Sequence, residues 1–169
     1  MVLNEVVKDW ANVIVRASII IIILFFFLWP VKLEGSSMDP TLNDGDIICM
    51  SRFFVQMGWY EKGDIIVFQY NDSGKVKTVL KRIVATEGDH IRLLPDGLVE
   101  INGEILEEEY IDGPTNGVVD MTIPQGTVFV LGDNRDLSYD SRQMGVISRG
   151  DLTGKVVFRW FPITELRGF

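Results

Sequence analysis

Two residues in the first half of the sequence have the chemistry of a nucleophile and its base. Ser37 lies in the segment Gly35–Leu42, where glycine and proline restrict the backbone to few shapes. A serine in such a turn more often caps or hydrogen-bonds the backbone than attacks a substrate. Ser37 therefore needs a partner that takes its proton.

Lys81 is the candidate partner, because it lies in a segment rich in Val, Leu and Ile over residues 76–84 that predicts a β-strand. The two-residue period of a strand places Val79 and Ile83 on the same side as Lys81. Apolar surroundings disfavour the ammonium ion and lower the pKa of a lysine, which lets the neutral amine accept a serine proton. The alternative is an edge-strand lysine whose head reaches water, and the strand alone favours that alternative.

Composition removes the competing catalysts. Cys49 is the only cysteine and His90 the only histidine, so an intrachain disulfide and a Cys/His zinc site are excluded. A Ser-His-Asp peptidase would need His90, which follows Gly88-Asp89 in a predicted turn where histidine is usually solvated. The net charge of -8 argues against a nucleic-acid partner. No metal and no cofactor is implied.

A third segment is unusually polar. Residues 132–142 read GDNRDLSYDSR and follow the apolar strand predicted over residues 128–131. This polar block is either a solvated loop of Asx turns or a segment whose side chains hold the reacting residues in place. In the second case it would supply a buried Asp-Arg pair and a hydroxyl that orients the base.

The elements that must position these residues begin with an apolar helix. Residues 17–29 read ASIIIIILFFFLW, and a helix from Trp10 to Trp29 spans about 28 Å, close to the ~30 Å of bilayer hydrocarbon. A cleavable signal peptide and a buried core helix are the alternatives. The run ends in bulky and charged residues instead of a small-x-small site, which disfavours cleavage. We therefore predict a membrane anchor.

The rest of the chain predicts a mainly β fold built of antiparallel sheets. Short runs rich in Val, Ile and Phe alternate with turn residues, and Asn102-Gly103 is a strong signal for a type I′ hairpin. We predict a tip and transmembrane anchor over residues 1–31. A β domain follows over residues 32–169, with a short inserted hairpin region at about 95–126.

An aromatic-rich stretch, Phe53–Tyr60, follows the nucleophile segment. Such a patch could dip into the lipid interface beside the anchor or belong to the ordinary core. The sequence leaves both interpretations open.

These segments, in this order behind an N-terminal anchor, resemble bacterial type I signal peptidases, the serine-lysine enzymes that remove signal peptides from exported proteins. Single-anchor Gram-positive members are the most similar. Four ordered motifs carry the resemblance: Ser37-Met38-Asp39-Pro40-Thr41, Gly63-Asp64-Ile65-Ile66-Val67-Phe68, Lys81-Arg82 through Gly88-Asp89, and Gly132 through Arg142. Four motifs in order are far more specific than any one of them.

The resemblance implies a role for each motif. Ser37 attacks the scissile carbonyl, Lys81 takes its proton, and Ser138 hydrogen-bonds the lysine head. Three further residues, Arg82, Asp140 and Arg142, are structural supports. Cleavage after Ala-x-Ala requires shallow apolar pockets, for which the matching residues are Leu33, Met38, Leu42, Val79 and Leu80.

Three positions depart from the family pattern. Gly35 stands where some members place a serine hydroxyl, so the oxyanion hole would depend mainly on backbone N–H groups. Residues 83–87 replace a more usual Gly-x-Pro ending, and Leu137 stands where asparagine is common.

The resemblance also implies location and partners. The chain would cross the bacterial cell membrane once, with its N-terminus cytoplasmic and its catalytic domain outside, and would act on exported preproteins. The lipid bilayer would be its other partner, without nucleic acid or metal. Two rivals stay open: a self-cleaving Ser/Lys peptidase of the SOS-repressor type, and a non-catalytic membrane-anchored β binding module.

Overall fold

The computed structural model describes residues 2–162 and 167–169, except for the side chains of residues 2–6 and 22–27. The chain begins with helix α1, Val2–Phe27, whose apolar side chains at Val13, Ile14 and Ile20 are exposed. Within this described part, no helix combines the length and the apolarity needed to cross a membrane. The predicted anchor overlaps residues 22–27, whose side chains lie outside the described residues.

Strands are the main regular structure of the remainder of the described chain, as predicted. The strands are β1 Trp29–Lys32, β2 Ile47–Ser51, β3 Ile65–Asp72, β4 Lys75–Thr86, β5 His90–Leu93, β6 Val99–Ile101, β7 Glu104–Ile105, β8 Asp120–Thr122, β9 Thr127–Leu131, β10 Ile147–Ser148, β11 Leu152–Phe161 and β12 Arg167–Gly168. The short helices are α2 Arg52–Gln56 and α3 Ser141–Met144, and a 3-10 turn spans Arg149–Asp151.

The strands form two antiparallel sheets, which confirms the β part of the predicted fold class. The large sheet has the order β1-β2-β11-β3-β4-β9-β10, with β12 beside β11, and the small sheet has the order β7-β6-β5-β8. Strand β4 lies between β3 and β9; Lys81 pairs with Ile66 of β3, and the pairing with β9 begins at the next residue, Arg82. Lys81 is buried in this interior strand, which rules out an edge-strand lysine whose head reaches water.

The small sheet forms from local turn chemistry. Asn102 and Gly103 both have positive φ, at 55° and 87°, as the predicted hairpin requires, and they join β6 to β7. His90 opens β5 instead of lying in a turn, and its Nε2 is 3.0 Å from an Asp120 carboxylate oxygen. His90 is thus a strand residue of the small sheet.

Apolar clusters join the two sheets and support the nucleophile segment. One cluster packs small-sheet residues such as Ile91 and Val99 against Val84 and Phe129 of the large sheet. A second cluster contains the core around β2 and β3, together with Leu33, Met38 and Leu42 from either side of Ser37. The turn that carries Ser37 is therefore fixed to the core at both ends. The division of the chain near residue 31 stays a prediction.

Candidate active site

Ser37 and Lys81 meet across 44 residues of sequence. Lys81 Nζ donates a hydrogen bond to Ser37 Oγ at 2.6 Å. Lys81 is only 3% exposed, whereas Ser37 keeps part of its surface open to solvent. The pair thus combines a buried amine with a hydroxyl that a substrate can reach.

Burial lowers the pKa of Lys81 from 10.5 to about 8. The carboxylates of Asp140 and Asp133 act in the opposite direction, and the guanidinium of Arg142 lowers the pKa further. The amine is therefore neutral in a large fraction of molecules near pH 8. A neutral amine beside a serine hydroxyl has the chemistry for nucleophilic acyl transfer.

Backbone hydrogen bonds hold the turn that carries Ser37. Gly35 has φ +95°, a conformation that favours glycine, and its N–H donates to Asp44 Oδ1 at 2.8 Å. The N–H of Asn134 donates to the carbonyl oxygen of Ser37 at 3.1 Å. The nucleophile is thus attached to the polar block of residues 132–142 through its own peptide group.

Arg82, next to Lys81, connects the motifs to one another. Its guanidinium makes a two-pronged ion pair with Asp133, at 2.9 and 2.6 Å. It also donates to the carbonyl of Gly63 at 2.7 Å and to Thr41 Oγ1 at 3.4 Å. One buried side chain therefore contacts the nucleophile motif, the Gly-Asp strand motif and the polar block.

The polar block is a compact, buried structure and not a solvated loop. Asp140 pairs with Arg142 at 2.9 Å, caps helix α3, and accepts a hydrogen bond from the N–H of Gly132 at 3.0 Å. Ser141 Oγ accepts from the N–H of Val130 at 2.9 Å. The second interpretation of this block, as a source of a buried Asp-Arg pair, therefore matches the structure.

Ser138 lies against the site without the hydrogen bond that the resemblance implies. Its Oγ is buried and has no hydrogen-bond partner among the described residues, so a Ser138–Lys81 bond is absent from this structure. Gly132 packs directly on it: a Cβ at Gly132 would collide with Ser138 Oγ and approach Ser37 O to 2.5 Å. Only glycine fits between these two serines.

A groove beside the nucleophile segment is lined by both apolar and polar residues. Its volume is about 230 Å³, and its lining is Val31, Lys32, Leu33, Glu34, Val67, Thr78 and Leu80. Of the five predicted substrate residues, the structure brings Leu33 and Leu80 to this groove. Val79 packs against another cluster.

Met38 and Leu42, also predicted to contact substrate, lie in the core. They are 1% and 0% exposed, because the turn around Ser37 directs its apolar side chains inward. A substrate therefore meets neither of them without movement of the core.

Several residues that build the site were not predicted from the sequence. Asp133 pairs with Arg82, Arg135 is 2% exposed, and Glu108 is the ion-pair partner of Arg135. Gly132 was included in a motif but given no role of its own. The sequence feature that could have indicated these residues is the density of Asp, Glu and Arg in the two segments, since buried charged side chains need partners.

The aromatic stretch Phe53–Tyr60 is partly packed and partly exposed. Phe53 and Trp59 stack edge to face with ring centroids 5.5 Å apart, and Val55 and Tyr60 pack on an apolar cluster. Met57 and Trp59 are exposed by about half. The packed residues match the core interpretation, and contact of the exposed ones with lipid stays a prediction.

Comparisons with known proteins identify the family of the chain. The family model for signal peptidase, peptidase S26, matches residues 7–161. A signal peptidase IB of Staphylococcus aureus is 32% identical over 95% of this chain and 94% of its own length. A signal peptidase I of Bacillus licheniformis is 32% identical over 94% of this chain and 91% of its own length.

A crystal structure of a signal peptidase I from Enterococcus faecalis aligns with a TM-score of 0.47 and 29% identity, covering 56% of this chain and 94% of that chain. The sequence matches set aside the non-catalytic module and the self-cleaving repressor type that the sequence alone left open. The chain therefore belongs to the signal peptidase family, peptidase S26, and is a serine peptidase.

Proposed function

We propose that this chain removes N-terminal signal peptides from exported preproteins after an Ala-x-Ala type site, with Ser37 as nucleophile and Lys81 as general base. The observation that carries the proposal is the 2.6 Å contact between Lys81 Nζ and Ser37 Oγ. The lowered pKa of the buried lysine supports it, because only a neutral amine accepts the serine proton.

The first half of the reaction forms an acyl-enzyme. Ser37 Oγ attacks the scissile carbonyl carbon while Lys81 accepts the hydroxyl proton. The carbon–nitrogen bond then breaks, and the Lys81 ammonium gives its proton to the departing amine of the mature protein. Lys81 is neutral again at the end of this half.

The second half hydrolyses the ester that joins the signal peptide to Ser37. Lys81 takes a proton from an attacking water, and the hydroxide adds to the ester carbon. The ester bond breaks, the signal peptide leaves with a new carboxyl group, and Lys81 returns the proton to Ser37 Oγ. The free enzyme is restored.

The oxyanion formed in both halves is stabilised by backbone N–H groups, including that of Ser37. Gly35 has no side-chain hydroxyl to contribute, and its N–H is already bonded to Asp44. The polar block keeps the Ser37 carbonyl in place through Asn134. The backbone of the turn, and not the hydroxyl of a further side chain, therefore forms the oxyanion hole.

The groove between Leu33 and Leu80 accepts the small side chains of the signal peptide. The groove has a volume of about 230 Å³, and Val31, Leu33, Val67 and Leu80 give it an apolar surface. Small apolar side chains fit such a space. The apolar surface of the groove supports a preference for apolar residues at the cleavage site.

The proposal includes attachment to the bacterial cell membrane. Residues 17–29 anchor the chain in a single pass, with the N-terminus cytoplasmic and the β domain outside, where signal peptides emerge. The apolar sequence supports this location, as do the exposed side chains of Ile19, Ile20 and Ile21 on α1. The exposed Trp59 and Met57 are candidates for contact with the lipid interface.

The test is turnover of an Ala-x-Ala preprotein by the full chain in detergent or liposomes. We expect Ser37→Ala and Lys81→Ala to abolish cleavage. Ser36→Ala and Lys77→Ala are matched controls, one residue from the nucleophile and four residues from the base on β4, and should retain activity. Full turnover by either Ser37→Ala or Lys81→Ala would refute the assignment.

A further inference from the structure

The long connection between β7 and β8 is built into the catalytic centre. Residues 106–119 contain no regular helix or strand, yet Thr115 is fully buried and the Glu108 side chain is 5% exposed. Their partners are residues of the polar block. A connection that served only to join two strands would have no need to bury a carboxylate.

Glu108 neutralises the most deeply buried arginine of the site. Its two carboxylate oxygens accept hydrogen bonds from both terminal nitrogens of Arg135, and Thr115 Oγ1 accepts another. Arg135 Nε donates to the carbonyl of Gly132 at 3.0 Å. The guanidinium is thus fully paired between the connection and the polar block.

Tyr110 covers the second arginine of the site. The ring of Tyr110 lies under the guanidinium of Arg82 at 4.0 Å, and its hydroxyl donates to Glu108 Oε1 at 2.8 Å. Burial and the neighbouring Glu108 raise the pKa of Tyr110, so its hydroxyl keeps its proton as a donor. Glu108 and Tyr110 therefore fix the two arginines relative to each other.

Both arginines contact residues that adjoin Ser37 or Lys81. Gly132, held by Arg135, touches the carbonyl of Ser37 and the hydroxyl of Ser138. Arg82 follows Lys81 in β4 and holds Asp133, next to the Asn134 N–H that donates to Ser37 O. A shift of either guanidinium would therefore move the turn on which the nucleophile rests.

We propose that Glu108 and Tyr110 are positioning residues for the Ser37–Lys81 pair, acting through Arg135 and Arg82. This inference rests on the proposed function, because it assigns these residues a part in the same cleavage reaction. It gives the small sheet a role in catalysis, since that sheet holds both ends of the connection that carries the two residues. A displacement of an ångström at a reacting pair is enough to cost about a hundredfold in rate.

Glu108→Gln is the central variant, since glutamine keeps the shape of the side chain but removes its charge. Glu107→Gln and Glu109→Gln are matched controls, because they remove the same charge from exposed neighbours. Tyr110→Phe removes only the hydroxyl, while Tyr110→Leu also removes the ring under Arg82.

The first readout is steady-state cleavage of the Ala-x-Ala preprotein by the full chain, well below the melting temperature of every variant. We expect Glu108→Gln to lower kcat about tenfold with KM within about a factor of two. Tyr110→Leu should lower kcat by a similar factor, and Tyr110→Phe by about threefold. The two control variants should keep the wild-type kcat.

The second readout does not depend on activity. The Asn134 N–H reports on the contact between the polar block and Ser37, and its hydrogen exchange can be followed by NMR. We expect its exchange to accelerate about tenfold in Glu108→Gln and to stay unchanged in Glu107→Gln and Glu109→Gln. Amides in the middle of β3 should exchange at the wild-type rate in all variants.

These readouts separate the inference from its alternatives. A Glu108→Gln variant with wild-type kcat and wild-type Asn134 exchange, but a lower melting temperature, would show that Glu108 only stabilises the fold and would overturn the inference. Loss of kcat in the control variants to the same extent would also overturn it. If the wild-type chain cleaves no preprotein, the proposed function fails, while the exchange experiment still decides whether Glu108 positions the turn.

Discussion

Replacing Lys81 with methionine should stabilise the folded chain near neutral pH while abolishing cleavage. Burial lowers the pKa of Lys81 from 10.5 to about 8. At about 1.36 kcal/mol per pKa unit, a protonated lysine at this position costs the folded state about 3 kcal/mol at pH 7. Methionine has a similar shape and no charge, so this cost disappears.

The substitution also removes the hydrogen bond to Ser37, which is worth about 1 kcal/mol. The expected net gain is therefore about 2 kcal/mol at pH 7. Since the folded-state pKa lies below the unfolded-state pKa, the cost is fully present below pH 8 and is relieved as the pH rises towards 10.5. Near pH 10.5 the gain should give way to a loss of up to about 1 kcal/mol, because only the missing hydrogen bond remains.

Urea unfolding of the full chain in mild detergent, followed by tryptophan fluorescence at pH 7 and pH 10.5, measures this difference. Lys77→Met is the matched control, because Lys77 lies on the same strand but its side chain is 58% exposed. It should change the free energy of unfolding by less than about 1 kcal/mol at either pH. A Lys81→Met variant that is less stable than wild type at pH 7, or equally stabilised at both pH values, would refute this account of the base.

Three further predictions concern the surroundings of the pair. Gly132→Ala places a Cβ against Ser138 Oγ and 2.5 Å from Ser37 O, and should lower kcat about a hundredfold or more, whereas Gly150→Ala has room and should keep it. Arg142→Gln removes a cation that lowers the pKa of Lys81, so the midpoint of kcat/KM against pH should move to more alkaline pH, and an unmoved midpoint would contradict this. Leu80→Ala widens the groove and should raise kcat/KM for a cleavage site with valine in place of alanine by about tenfold relative to wild type, while Leu98→Ala in the turn before β6 should not.

The strands could be predicted from the sequence because their signals are local, whereas Ser37 and Lys81 were predicted as a reacting pair through the resemblance of four ordered motifs. Alternating apolar residues around Lys81 indicated a strand, and Asn102-Gly103 indicated a hairpin; both lie within a few residues of the structure they specify. The interior position of Lys81 depends instead on β9, which pairs with β4 from more than 40 residues further along the chain. Sequence spacing alone could not distinguish this position from an edge.

The ion-pair partners of the buried charged residues could not be predicted from the sequence, because they too depend on contacts between distant segments. Glu108 lies in a run of three glutamates, Glu107 to Glu109, and only the folded connection selects the middle one to face Arg135. Met38 and Leu42 were expected to contact substrate from the resemblance, but both side chains are buried in the core. Proximity in sequence to Ser37 did not mean exposure beside it.

The arginines of the catalytic centre have a consequence for salt tolerance. Arg82, Arg135 and Arg142 each pair with a carboxylate whose side chain is 5% exposed or less, in contrast to the open pair of Lys77 and Asp72. Mobile ions screen surface charges over about 8 Å at physiological ionic strength but hardly enter a buried pair. The scaffold around Ser37 should therefore keep its geometry from dilute buffer to molar salt, even though the chain as a whole carries a net charge of -8.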